Sequence, residues 1–223
     1  MDNNKLLIIF FGTLILLSLF SEGVNVFSLD QNLKSIDKLY GPEGFITVDN
    51  KMMGDKYNLT YGELTGEGMG KIVKFLESAN VKPNNTTFID LGCGNGKTLA
   101  YATVYGFKQA RGAEIVEARY EYAERKRKEL EQRMRDRISI SKSDIFKLPS
   151  AYFPKGSVIF ISNLLFPEET NQQLIKFLSE TIPSDTIIIL SKIPTNLYKL
   201  KLIEKMHVPM SWSYNSECYI LKK

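Results

Sequence analysis

The chain has 223 residues, 43% hydrophobic and 24% charged, which supports one packed domain with a few tens of residues over and excludes a disordered chain. Twenty-nine basic against 25 acidic residues leave a formal charge of +4, too small by itself to mark a nucleic-acid binder. One histidine (His207) and two cysteines (Cys93, Cys218) cannot build a Cys/His zinc cage and leave little for histidine-based catalysis, so a cofactor is expected to carry the chemistry and no metal is expected.

From Leu6 to Phe20 the chain reads LLIIFFGTLILLSLF without a charge. Such a run reads as a signal peptide, a buried helix or a membrane anchor. The start MDNNK lacks a basic region and Leu19-Phe20-Ser21 offers no small-residue cleavage pattern, so an uncleaved single-pass anchor is the expectation. As a helix the run reaches about 22 Å, against a hydrocarbon core of ~30 Å. Residues 1–28 are thus expected to be anchor and flank, 29–54 a linker or lead-in, and 55–223 the functional domain. Because that domain needs its cofactor, it is placed on the side of the membrane where the cofactor is found.

Beyond Asp55, short β-branched runs alternate with charged helix-forming stretches, the rhythm of a mostly parallel α/β sheet. Strands are expected at Thr86 to Leu91, Ala110 to Ile115, Arg137 to Ser141, Ser157 to Ser162 and Thr186 to Ser191. Helices are expected at Gly66 to Ala79, Thr98 to Tyr105, Glu117 to Arg135 and Glu168 to Thr181. Two weaker strands, Lys205 to Trp212 and Glu217 to Lys222, close the chain. The stretch from Arg119 to Arg137 holds eight basic and five acidic residues and reads as a solvated, ion-paired face; a basic surface for nucleic acid or anionic lipid is the sharper alternative.

The first strand ends in Asp90-Leu91-Gly92-Cys93-Gly94-Asn95-Gly96, then a helix. Glycines there let backbone N–H groups approach a ligand. The dinucleotide fingerprint fails, because its third glycine falls on Lys97, and the P-loop fails despite the Gly96-Lys97-Thr98 tail. An acid followed by glycines at every second position is instead a signature of S-adenosylmethionine binding. Glu114 ends the second strand, placed for ribose hydroxyls; Asp144 follows the third, placed for an adenine amino group; Asn163 follows the fourth. In an open parallel sheet these strand ends converge on one crevice.

Several segments resemble the non-SET histone lysine methyltransferases of the disruptor-of-telomeric-silencing (Dot) family, within the class I methyltransferases. The resemblance runs from about Tyr61 to Leu221. Its carriers are Tyr61-Gly62-Glu63, Phe88 to Gly96, Gly112-Ala113-Glu114, Ser157 to Phe166 with Asn163, Leu190-Ser191-Lys192, and Ser211-Trp212 with Tyr219 beyond. The threonine expected after Tyr-Gly-Glu stands one place late as Thr65, and Ile145 stands where an aromatic would flank Asp144. The resemblance implies a Rossmann-like fold, with a mostly parallel seven-stranded sheet, a C-terminal antiparallel hairpin and helices on both faces. It implies S-adenosylmethionine held by Glu63, Asp90, Gly92, Gly94, Gly96, Glu114, Asp144 and Asn163. It implies catalytic roles for Tyr61, Asn163 and Tyr219, and a lysine channel walled by Phe166, Trp212 and Tyr219. The implied substrate is a lysine of a histone or another basic protein. A membrane-anchored lysine methyltransferase of a non-histone, mitochondrial-type protein, a small-molecule methyltransferase and a non-catalytic scaffold of the same fold stay open as alternatives.

Overall fold

The structure, a computed structural model, describes residues 28–41 and 62–223. The apolar run from Leu6 to Phe20 and Tyr61 lie outside the described residues.

Five short strands form the parallel part of the sheet: β1 (Thr87–Leu91), β2 (Gln109–Glu114), β3 (Ile138–Lys142), β4 (Val158–Ile161) and β5 (Ile187–Leu190). β4 and β5, VIFI and IIIL, are buried along their whole length, as strands covered on both faces must be. Two ten-residue strands, β6 (Lys201–Met210) and β7 (Ser213–Lys222), pair antiparallel, and β7 inserts beside β5. The order is β3-β2-β1-β4-β5-β7-β6. It reverses between β1 and β4, where Asp90 lies beside Gly112 on one side and Phe160 on the other. That reversal opens a crevice beyond the carboxyl ends of the strands.

Helices cover both faces. One apolar cluster joins the helix at 28–40 (α1), α2 (Gly66–Ser78), α3 (Lys97–Val104) and the charged stretch to one face through Ile36, Met69, Leu99 and Met134. The other joins α6 (Glu168–Thr181) to the opposite face through Leu174, Ile175 and Leu178. Part of the expected lead-in is therefore an element of the body. α1 buries Ile36 and Tyr40, and the Tyr40 carbonyl accepts the Tyr122 hydroxyl at 3.1 Å.

The single helix expected over Glu117 to Arg135 is two: α4 (Glu117–Glu129) and α5 (Gln132–Arg135). Leu130 takes an extended backbone (ψ 155°), and the break turns Leu130 and Met134 into the core. Burial of two apolar side chains outweighs the helix propensity of the charged residues around them. At least four of the eight basic residues of this stretch are engaged within it or with the body of the fold. Arg127 pairs with Glu124, Lys126 with Glu129 and Arg133 with Glu131, while Arg137 donates to the Phe107 and Thr103 carbonyls. A nucleic-acid surface there is not supported.

The membrane-anchored placement is corrected. Among the described residues no helix is long and apolar enough to cross a membrane.

Candidate active site

The glycine loop leaves β1 as a tight turn pinned to β2: the Gly92 and Cys93 N–H groups both donate to the Ala113 carbonyl, at 2.8 and 3.1 Å. Gly96 starts α3 in a left-handed conformation (φ 80°), which glycine adopts without strain. Close packing fixes a second glycine, since a Cβ on Gly112 would stand 2.5 Å from Cys93 Sγ and 2.7 Å from Leu99 Cδ1.

Three carboxylates converge on this loop. Glu114, 4% exposed, accepts the Gly94 N–H with one oxygen and the Val116 N–H with the other, each at 2.8 Å. Asp90, 3% exposed, has its pKa pushed up to about 8, first by burial and then by the charges of Glu114 and Glu63, against a hydrogen bond from Thr98. Glu63 accepts from Asn95 Nδ2. Its backbone is clamped to the hairpin turn, its N–H donating to Ser211 Oγ at 2.9 Å and its carbonyl accepting the Ser211 N–H at 2.8 Å. Asp144 accepts the Phe146 N–H at 3.0 Å, and Phe146 packs edge-on against Phe177 in the α6 core.

Asn163 is fully buried at the junction of β4, β5 and α6. Its Nδ2 donates to Asn171 Oδ1 at 2.7 Å and the Lys192 carbonyl at 2.8 Å; its Oδ1 accepts the Ser191 and Lys192 N–H groups at 2.9 and 3.0 Å. Four bonds exhaust the amide. Beside it the Ser191 hydroxyl is buried without a hydrogen-bond partner among the described residues. Phe166 packs against the α6 cluster, followed back along the chain by exposed Leu164 and Leu165. The Trp212 ring lies on Gly62, where a Cβ would overlap it. The Tyr219 hydroxyl donates to Glu217, and Lys205 stands over its ring at 5.4 Å. The structure thus gathers Glu63, Asp90, the glycines and Glu114 at one place. It does not bring the Tyr219 hydroxyl to the Asn163 amide.

Three residues escaped the sequence reading. Asn95 and Lys97 sit inside the glycine motif and bind one another and Glu63, and their one visible signal is their place at the start of α3. Ser191 stood within a resembling segment but without a stated role.

The donor set suits a cofactor with cationic centres and vicinal hydroxyls. Converging buried carboxylates favour positive charge, and Glu114 retains two of its roughly four lone-pair sites for hydroxyls. Solved structures share the fold. An RNA methyltransferase from Salinibacter ruber, in complex with S-adenosylhomocysteine, is 18% identical over 68% of this chain and 88% of its own, with a TM-score of 0.50. Magnesium protoporphyrin IX methyltransferase from Synechocystis PCC 6803, with bound S-adenosylmethionine, is 17% identical over 84% of this chain and 89% of its own, with a TM-score of 0.53. Among curated proteins none matches the chain in sequence. The family model described as histone methylation protein DOT1 matches residues 55–216, well over half of the chain. The chain therefore belongs to the DOT1 histone methylation family, and it is a class I methyltransferase whose cofactor is S-adenosylmethionine.

Proposed function

We propose that the protein is a lysine N-methyltransferase acting on a histone or a similarly basic protein. The observation that carries this reading is the family match over the same residues that build the carboxylate-lined crevice. S-adenosylmethionine supplies a methyl group on a sulfonium, open to in-line displacement. The glycine loop lets backbone N–H groups approach the cofactor, Glu114 accepts from its ribose hydroxyls, and Asp144 accepts from its adenine amino group. Glu63 adds negative field of the kind a cationic donor requires.

At the acceptor side, a lysine ammonium must lose its proton before it attacks, and burial beside a cation lowers its pKa. Trp212, Phe166 and Tyr219 supply apolar walls for that burial. Asn163, its amide fully engaged, works by holding the β5 end in place. Ser191, whose N–H is bonded to Asn163, keeps a free hydroxyl with which to orient the amine. Tyr61 lies outside the described residues, and its role at the acceptor rests on the Tyr-Gly-Glu resemblance.

Incubation with S-adenosylmethionine carrying a labelled methyl, and with core histones, nucleosomes or a cell extract, tests the reading. Label on a protein lysine is the expected result. Label confined to RNA or small molecules would overturn it.

A further inference from the structure

Lys97 follows Gly96 directly, and only 13% of its side chain is exposed. An ammonium so nearly buried needs anionic partners. It has Asp37 Oδ1 at 2.8 Å and Glu63 Oε2 at 4.0 Å. Asp37 belongs to α1, sixty positions earlier, and accepts the Tyr101 hydroxyl at 2.5 Å as well. The Lys97 ammonium also stands 5.6 Å over the Tyr101 ring, which closes a triangle of three side chains from two helices. On its other side the network continues into the cofactor loop. Glu63 accepts from Asn95 Nδ2, and Asn95 Oδ1 accepts the Lys97 N–H at 2.9 Å.

We propose that Asp37 is a positioning residue for cofactor binding. It holds the Lys97 ammonium away from full contact with Glu63, and so keeps Glu63 on Asn95 and the glycine loop in its binding shape. Without Asp37, the nearest anion left to Lys97 among the described residues is Glu63. Closing that 4.0 Å gap draws Glu63 off Asn95 and shifts the field that meets the donor. α1 is then part of the site, although it stands outside the residues matched by the family.

The proposal rests on the S-adenosylmethionine site described above. Its test uses the full chain as Asp37→Asn, Asp37→Glu, Lys97→Met and the Asp37→Asn/Lys97→Met pair. Each is titrated with S-adenosylhomocysteine, and the melting temperature of each is measured without ligand. Asp37→Asn should weaken binding roughly tenfold, the size expected when a charged hydrogen bond is lost, whereas Lys97→Met, which removes the ammonium that would capture Glu63, should change binding little. Asp37→Glu should recover part of that loss, and the double variant should bind no worse than Lys97→Met, because both act through one link. Additive losses overturn the proposal. So does wild-type affinity in Asp37→Asn, with or without a lower melting temperature, since helix packing alone would produce that pattern. Wild-type protein that binds no S-adenosylhomocysteine would overturn the cofactor reading, and the inference with it.

Discussion

An unperturbed aspartate releases its proton near pH 3.9, whereas Asp90 keeps its proton up to about pH 8, because it is buried beside Glu114 and Glu63. Between those two values the folded protein binds a proton that the unfolded chain does not, so its stability falls as pH rises through the window. The cofactor-free protein should therefore melt at a lower temperature at pH 8 than at pH 5.5. Asp90→Asn removes the titrating group and should flatten that slope while raising the melting temperature at pH 8, as thermal melts across the range would register. A variant with the wild-type slope would show that another group controls it. Asp90 and Glu114 were legible in the sequence, because each ends a strand whose β pattern fixes where the side chain emerges. The role of Lys97 was not, since its partner Asp37 is brought to it only by the packing of α1. Nor could the direction of the Asn163 amide be read, because its four partners come from α6 and from Ser191 and Lys192 just past β5.

At the scale of elements, the segment at 62–65 and the β6–β7 turn behave as one piece. Leu64 forms a bridge with Met210, and Thr65 donates its hydroxyl to the Pro209 carbonyl while accepting the Gly68 N–H to cap α2. This piece presents Glu63 to the cofactor loop and carries Trp212, the proposed channel wall, so under the proposed function a disturbance at Gly62 separates the two roles. Gly62→Ala pushes a Cβ into the Trp212 ring. The ring is partly exposed and can swing away, which spares the fold but displaces a proposed channel wall. Turnover should fall at least tenfold while affinity for S-adenosylhomocysteine changes little, the split expected when alignment rather than binding is lost. Steady-state kinetics beside calorimetry would separate the cases, and equal losses in both would count against Trp212 as a wall. The five parallel strands were legible because runs such as IIIL and VIFI have no other economical conformation in a sheet covered on both faces. The break at Leu130 was not, because local composition favours continuing the helix and only the distant core rewards the turn.

At the scale of the whole molecule, the site lies where the sheet reverses, between the two apolar clusters. The glycine loop leads into α3 on one face, whereas Asp144 and Phe146 lead into the α6 cluster on the other. A ligand that engages both ends ties the two layers together. Its binding free energy then appears as global stability, because the unfolded chain has no site. At a hundredfold excess over its dissociation constant, S-adenosylhomocysteine should add about 2.7 kcal/mol. For a domain of this size that amounts to a rise of roughly 5–11 °C in melting temperature. NAD and ATP should give no rise at the same concentration. Their phosphates would face Glu63 and Glu114, and like charge in a buried site repels strongly. Melting curves with each ligand make the comparison directly. A shift with ATP and none with S-adenosylhomocysteine would mean that the loop serves phosphate after all, and that the carboxylates do not set the charge of the site.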